Sequence, residues 1–300
     1  MCLHPVMMYD TGQLNPSGKR KYTFKAPVGF PSAGIPVPCG KCLPCLEARR
    51  REWCKRLSLE STRWPVSSFI TLTFDDEHMP WCHLACKRKV QTFLKRLRMM
   101  PRDYKVPPLP FKYFIASEYG MKFGRPHFHG LIFGLDFLLD CYKPRLVSCG
   151  RYPVFTSEIL TEIWKNGYVT VDRLTSANIV YVSKYITKQS DKAHPTWSLK
   201  SIGLARSLFA AKDHLTDFGL SSILSGFVAI PSKSNPVRVR VPKFVDRYVE
   251  RFEPDLYESI KASRRDYFRK MPVADLAMCR DVHELKHGRE LKERILDNET

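Results

Sequence analysis

The segments Phe111-Lys112-Tyr113-Phe114-Ile115-Ala116 and His127-Phe128-His129-Gly130-Leu131-Ile132-Phe133 are rich in the aromatic and β-branched residues that favour strands. The first continues to Glu118, and a loop containing glycine and proline separates it from the second. The pair therefore predicts a β-hairpin. If its loop is 119–126, Glu118 faces His127 across the ladder.

Further elements follow from hydrophobic periodicity on both sides of this hairpin. Strands are predicted at 68–74 and 168–172, and helices at 45–60, 83–99, 156–165 (capped by Thr156 or Ser157) and 179–188 (capped by Thr175 or Ser176). Residues 1–38 and 140–155 are expected to be irregular, and 201–230 mixed helix and loop, with a strand at 237–241. The central order is β-α-β-β-α-β-α. It predicts an α+β fold in which helices cover one face of an antiparallel sheet.

The composition divides the chain and limits its partners. We expect three regions: an N-terminal arm with a basic helix (1–60), a central core (61–195) and a C-terminal α/β extension (196–300). The 49 Lys and Arg against 30 Asp and Glu give a formal net charge of +19, which favours a polyanionic partner, with nucleic acid first and a membrane surface second. No run is long and apolar enough to span a bilayer, and there is no signal-peptide pattern, so we expect an intracellular protein with reduced cysteines.

Two helices are predicted to present a cationic face to the phosphate backbone. Solvated surface is the alternative explanation for this charge. The candidate DNA contacts are Arg49, Arg50, Lys55, Arg56, Lys95 and Arg96, with Lys188 on a third helix.

That third helix carries two tyrosines one turn apart. Tyr181, Lys184, Tyr185 and Lys188 share one stripe, since they lie at i, i+3, i+4 and i+7, while Ile179, Val182 and Ile186 lie roughly opposite. The tyrosines are about 6 Å apart along the axis at 1.5 Å per residue. They could therefore present two hydroxyls to one phosphate, with lysines to balance its charge.

His127 and His129 lie on the same face of their predicted strand, about 7 Å apart by Cα, while Phe128 points to the opposite face. With Glu118 they could hold a divalent ion that polarises a phosphoryl oxygen. A structural role for the His-x-His pair is an alternative. Non-heme iron is another, although the fold expected for it is a double-sheet barrel.

A cysteine cluster occurs where the N-terminal arm meets the first helix. Cys39, Cys42 and Cys45 form two overlapping Cys-x-x-Cys units that could bind one structural zinc ion. Three thiolates do not close a tetrahedral site, so Cys2 is the candidate fourth ligand, and the arm is long enough to return it. Unligated thiols and an iron-sulfur cluster remain alternatives.

Three motifs together resemble those of a known family. Ile70-Thr71-Leu72-Thr73-Phe74, Gly124-Arg125-Pro126-His127-Phe128-His129-Gly130 and Tyr181-Val182-Ser183-Lys184-Tyr185-Ile186-Thr187-Lys188 occur in the order and at the spacing of the motifs of rolling-circle replication initiators of the HUH endonuclease superfamily. The two-tyrosine third motif resembles the branch of small single-stranded DNA bacteriophages of the microvirus family. The Met-Cys-Leu opening and the Pro-Cys-Gly-Lys-Cys segment look most like its gokushovirus relatives.

The resemblance implies an RRM-like core and a site-specific DNA nickase and ligase. It implies that Tyr181 and Tyr185 are nucleophiles assisted by Lys184, and that His127, His129 and Glu118 bind Mg²⁺ or Mn²⁺. Attack would give a 5′-phosphotyrosine and a free 3′-hydroxyl that primes synthesis. The expected partners are a single-stranded origin and, because the sequence has no G-x-x-x-x-G-K-[ST] motif, a host helicase, together with a DNA polymerase, in the cytoplasm of the bacterial host.

Two alternatives remain beside this interpretation. One is a non-catalytic nucleic-acid-binding protein in which the histidines and tyrosines are structural. The other is an HUH relaxase or transposase, which would differ mainly in the order and number of its tyrosines.

Overall fold

A computed structural model describes most of the 300 residues. The described residues are 2–16, 18, 20–26, 34–81, 84–99, 110–120, 124–149, 153–186, 195–211, 214–231 and 235–270. Lys188, the end of the third motif and the last thirty residues lie outside them. Within the described ranges no helix is both long and apolar enough to cross a bilayer.

The regular elements alternate along the chain. The strands are β1 Val6–Leu14, β2 Arg20–Thr23, β3 Ile35–Val37, β4 Ser67–Phe74, β5 Lys112–Tyr119, β6 Pro126–Phe133, β7 Pro144–Cys149, β8 Pro153–Ser157, β9 Gly167–Arg173, β10 Ser198–Lys200, β11 Ala210–Ala211, β12 His214–Leu215, β13 Phe227–Ile230 and β14 Val237–Arg240. The helices are α1 Leu43–Ser61, α2 Lys87–Arg98, α3 Glu158–Trp164, α4 Ser176–Lys184, α5 Arg206–Phe209, α6 Asp217–Ser225, α7 Lys243–Phe252 and α8 Pro254–Lys270. The α+β class is confirmed, as are the helices and strands predicted around the central hairpin.

The chain forms two compact units, with different boundaries from those predicted at 60 and 195. One comprises Met1–Arg49 and the C-terminal segment from Lys261, and the other is Arg50–Ile260. In the first unit β1 pairs with β2 and β3 in a small antiparallel sheet. The expectation of an irregular arm was therefore wrong. β1 itself contains no proline, and Pro36 is accommodated because β3 is an edge strand of this sheet.

The second unit is built on a seven-stranded antiparallel sheet, in the order β10-β5-β6-β4-β9-β8-β7. The predicted hairpin is confirmed as β5 and β6, with Glu118 directly opposite His127. β4 lies between β6 and β9, so that Thr71 faces His129 and Thr73 faces His127. This register places the first two sequence motifs side by side.

Two features of the sheet differ from the prediction. Residues 144–149 and 153–157 form an edge hairpin, β7 and β8, in the segment expected to be irregular. Its alternation is weak because both strands are partly exposed. Beyond the predicted boundary at 195, β10 adds to the other edge by pairing with β5.

Helices cover both faces of the sheet, and not one face as predicted. Ile70, Leu72 and Phe74 of β4 pack in one cluster with α2 and α3. The opposite face, represented by Phe114 and Leu131, packs against α4 and the later part of α1. The uninterrupted buried runs in β5 and β6 are typical of strands covered on both sides.

Trp164, at the end of α3, is the largest fully buried side chain of the first cluster. Its ring packs against Phe74, Phe93 and Phe128 at centroid distances of 5.4, 6.1 and 5.9 Å. Its Nε1 donates a hydrogen bond to the backbone oxygen of Thr73 at 3.0 Å. The core of one face thus supports a residue whose side chain emerges on the other.

After β10 the chain builds a third apolar cluster from α5, α6, α7 and the pairs β11–β12 and β13–β14. Phe209, Val228 and Val245 are among its buried members. The strand predicted at 237–241 is confirmed as β14, and Arg238 and Arg240 are both exposed.

Candidate active site

The two histidines of β6 are held by threonines of the neighbouring strand. Thr71 Oγ1 lies 3.1 Å from His129 Nδ1, and Thr73 Oγ1 lies 3.2 Å from His127 Nδ1. When each Nδ1–H donates to a hydroxyl, each Nε2 keeps the lone pair that a metal needs. Sequence reasoning missed this role of the threonines, although their alternation with Ile70 and Leu72 already placed them on the polar face.

Glu118 bonds to His129, its diagonal neighbour, rather than to the residue directly opposite. Its Oε2 lies 2.9 Å from His129 Nε2, and both side chains are largely buried. Adjacent ligands of an octahedral ion with 2.0–2.1 Å bonds are about 3 Å apart. The spacing of this pair therefore fits a hard divalent cation.

His127 stands on the same face but is not part of that close pair. Among the described residues, the group of three or more His, Cys, Asp or Glu ligands with all donor atoms within 4.8 Å is a cysteine cluster. Burial, followed by the charge of His129, lowers the pKa of His127 below 6.5. His127 is therefore neutral near pH 7, the form that can act as a ligand. Gly120 leaves room for its ring, since a Cβ there would lie 2.9 Å from His127 Nε2.

Both tyrosines of the third motif pack on the ring of His129. Thr175 caps α4 in a capping box with Asn178, and Ile179 and Val182 anchor the helix on the sheet. The helix ends at Lys184, but Tyr185 keeps helical angles (φ −69°, ψ −14°) and so continues the stripe. The centroid of His129 is 5.2 Å from that of Tyr181 and 5.3 Å from that of Tyr185, and the two phenol rings are 5.2 Å apart.

The phenols join the polar network around Glu118. Tyr185 donates a hydrogen bond to the Glu118 carboxylate and is hydrogen-bonded to Tyr181. Burial, reinforced by the Glu118 hydrogen bond, raises the pKa of Tyr185 well above its usual range, and burial also raises the pKa of Tyr181. Both are therefore neutral phenols near pH 7. Tyr181 is 40% exposed and is the more accessible of the two.

A shallow surface depression of about 350 Å³ adjoins Tyr181. It is lined by Ser176, Ala177, Val180, Tyr181 and Lys184. Lys184, at the end of α4, places a cation beside the phenol, as the sequence predicted.

The structure does not bring all the predicted DNA contacts to this site. Lys95 and Arg96 belong to α2, which covers the opposite face of the sheet. Arg96 Nη1 donates to the backbone oxygens of Ile163 and Trp164, at 3.2 and 3.5 Å. These cations therefore serve α3 and a remote surface, and the expectation that they hold DNA near the tyrosines was wrong.

The cations of α1 differ in their exposure. Arg56 packs over the rings of Trp53 and Phe244, at 4.5 and 4.4 Å from their centroids, and donates to Leu204 O at 3.1 Å. The predicted DNA contact of Arg56 is thus replaced by contacts within the protein. Lys55 is largely covered and pairs with Glu52 at 3.5 Å. Arg49 is exposed and Arg50 partly so, and both remain predicted contacts.

The predicted cysteine cluster is brought together. Cys2, Cys39, Cys42 and Cys45 place all their Sγ atoms within 4.8 Å of one another. All four are free thiols in the first compact unit, whereas the histidines and tyrosines belong to the second.

Comparison with known proteins places the chain among phage proteins. Residues 67–190, which contain all three motifs, match the family model of replication-associated proteins of the ORF2 type. The replication-associated protein VP4 of Bdellovibrio phage phiMH2K is 27% identical over 263 residues, covering 85% of this chain and 78% of the relative. No solved structure matches the chain.

Two further relatives agree. Replication-associated protein ORF2 of Spiroplasma virus 4 is 28% identical over 79% of this chain and 77% of its own length. Replication-associated protein ORF4 of Chlamydia phage 1 is 32% identical over 52% of this chain and 39% of its own. The resemblance indicated by the three motifs is confirmed: the chain is a relative of the replication-associated proteins of microvirus-like phages, of the rolling-circle initiator type.

Proposed function

We propose that this chain initiates rolling-circle replication by nicking single-stranded or supercoiled origin DNA with a tyrosine, and later rejoins the displaced strand. One observation carries the proposal: two phenol rings pack on His129, whose Nε2 is bonded to Glu118. A purely structural helix would gain nothing from two half-buried hydroxyls in contact with a carboxylate, since buried polar groups cost free energy unless they are paired. A nucleophile must have its hydroxyl oriented beside the reacting phosphate.

His127, His129 and Glu118 would hold Mg²⁺ or Mn²⁺. When bound, the ion would neutralise charge on the scissile phosphate. Thr71 and Thr73 orient the imidazoles, and Trp164 fixes the backbone of Thr73 from the far side of the sheet. The residues of this face therefore act as a rigid platform, which is the requirement for a precise site.

The covalent step belongs to the tyrosines. The phenol loses its proton, its oxygen bonds to phosphorus, and the 3′ oxygen leaves and takes up a proton, so that the strand ends in a 3′-hydroxyl and a 5′-phosphotyrosine. Because burial raises the pKa of both phenols, neither ionises readily near pH 7 without help from positive charge at the phosphate. Lys184, beside Tyr181 in the depression on α4, would contribute some of that charge.

Two nucleophiles side by side permit strand exchange. While one tyrosine carries the 5′ end, the other can cut the origin regenerated after one round, and the released 3′-hydroxyl can then attack the first phosphotyrosine. The number of phosphodiester bonds is conserved, so no external energy source is required. The contact between the two rings keeps both hydroxyls within reach of one position.

The biological setting follows from this chemistry. We propose a single-stranded replication origin as the DNA partner, a host helicase to unwind it and a DNA polymerase to extend the 3′-hydroxyl, in the cytoplasm of the bacterial host. Non-specific affinity for DNA would come from the net charge of +19.

The test is a covalent adduct. The purified chain is incubated with Mn²⁺ and overlapping labelled single-stranded oligonucleotides that tile the replicon encoding it, and a label that migrates with the denatured protein is sought. We expect an adduct with a few neighbouring oligonucleotides, its loss in His129→Ala, and its retention in the control His78→Ala, whose ring bonds to Asp75 instead. DNA binding without any adduct would favour the non-catalytic alternative.

A further inference from the structure

The cysteine cluster lies outside the site described above, and strand pairing explains how it forms. β1 runs antiparallel to β3, with Val6 opposite Val37. Cys2 precedes β1 by a few residues and Cys39 follows β3 by two, so the ladder brings both to the same end of the small sheet. The residue far away in sequence is thus delivered by main-chain pairing, as shown by Cys39 N–H donating to Cys2 Sγ at 3.2 Å.

The segment Cys39–Cys42 folds as a tight turn around sulfur. Two backbone N–H groups, of Lys41 and Cys42, donate to Cys39 Sγ at 3.5 and 3.3 Å. Gly40 has φ +75°, a left-handed conformation that strongly favours glycine. Backbone donors of this kind stabilise a thiolate, which is the form of cysteine that binds metals.

The start of α1 supplies the remaining two thiols. Cys45 N–H and Leu46 N–H both donate to Cys42 O, at 3.0 Å, so Cys42 and Cys45 lie on successive positions of the first helical turn. Burial raises the pKa of Cys42, but hydrogen bonds from the backbone of Leu3 and Cys45 lower it to about 6.

The distances suit one ion. Four sulfurs bound at 2.3 Å to a tetrahedral zinc are about 3.8 Å apart. Cys2 Sγ and Cys42 Sγ are 3.6 Å apart, and no pair in the cluster exceeds 4.8 Å. A disulfide requires about 2.05 Å, and a cluster of several irons and sulfides requires more room than sulfurs this close leave.

The first unit also needs a staple. Between residues 2 and 49, the buried positions among the described residues are Pro44 and Leu46. A module of this size with so little buried apolar surface does not offset the entropy of folding, and small domains of this kind depend on a metal or on disulfides.

We propose that Cys2, Cys39, Cys42 and Cys45 bind one structural zinc ion, which fastens the N-terminal sheet to the start of α1. The site is closed, with four protein ligands and no position for substrate, so the ion acts in folding and not in the cleavage chemistry.

Metal analysis of the full chain, purified without chelator, tests the proposal independently of any cleavage assay. We expect about one zinc per chain, released stoichiometrically when a mercurial reagent titrates the thiols. Cys42→Ser should lose the zinc. The matched control Cys86→Ser, a partly buried free cysteine outside the cluster, should keep it.

Cys2→Ser guards against simple misfolding, because it alters one ligand at the chain end and leaves α1 unchanged. We expect it to weaken zinc retention against a competing chelator at least tenfold, with unchanged circular dichroism. Cobalt substituted into the wild type should show the visible bands of a tetrathiolate, and in Cys2→Ser those of a site with fewer sulfurs. Wild-type protein with background zinc, iron in its place, or equal zinc content in Cys2→Ser, Cys42→Ser and wild type would overturn the proposal.

Discussion

Replacing Thr71 with valine removes one oxygen from the platform under the site without changing its shape. The threonine hydroxyl lies 3.1 Å from His129 Nδ1, whereas valine keeps the β-branched form that suits β4. The loss of one neutral hydrogen bond is worth about 1 kcal/mol, and the loss of a partner behind a metal-binding histidine typically lowers metal affinity about 10- to 100-fold. His129 is also held by stacking with Tyr185 and Phe69, at 5.3 and 6.0 Å, so its ring should remain close to its position.

We therefore expect the lower end of that range: the Mn²⁺ concentration for half-maximal adduct formation should rise about tenfold in Thr71→Val, about 1.4 kcal/mol. Affinity for the oligonucleotide, measured by fluorescence anisotropy in the absence of metal, should not change. Thr170→Val is the matched control, because Thr170 lies directly opposite Thr71 on β9, on the same sheet face. An equal shift in both variants, or a parallel loss of DNA affinity, would refute the argument that the hydroxyl acts through His129.

Two further predictions concern stability. Because burial lowers the pKa of His127 below 6.5, the unfolded chain takes up its proton more readily, and the wild type should lose stability as pH falls through about 6.5; in urea midpoints measured at about pH 7.5 and 5.5, His127→Gln should lose less, and an identical pH dependence would contradict the lowered pKa. Ile179→Ala, under α4, should lower the free energy of unfolding by about 2–5 kcal/mol, whereas the exposed Val180→Ala should change it by no more than about 0.5 kcal/mol; similar losses in the two would mean that α4 is not anchored by its buried stripe.

Local patterns predicted the hairpin and the relation of the site residues to it. Period-two alternation and the loop length fix which residues of β5 and β6 share a face, so the placement of Glu118 opposite His127 could be derived. Helical spacing fixed the common stripe of Tyr181 and Tyr185 in the same way. These results depend only on the geometry of one or two adjacent elements.

What failed depends on tertiary choices that local patterns do not contain. The apolar stripe of α2 shows which side of the helix is buried, but it does not show which face of the sheet the helix covers. Lys95 and Arg96 were consequently assigned to the wrong side of the molecule. Arg56 was misjudged for a related reason, since its aromatic partner Phe244 lies nearly two hundred residues away in sequence.

The central claim is that Tyr181 and Tyr185 are alternative nucleophiles at one site, and covalent attachment tests it directly. Tyr181→Phe and Tyr185→Phe should each still form a denaturation-resistant adduct with a short origin oligonucleotide, while the double variant should form none. Tyr168→Phe, an exposed tyrosine on β9 near the same sheet face, is the control and should match the wild type. Either single variant should fail to release circles over repeated rounds, because each round needs one free tyrosine while the other holds the 5′ end. An adduct that persists in the double variant, or processive circle release by both single variants, would contradict the claim.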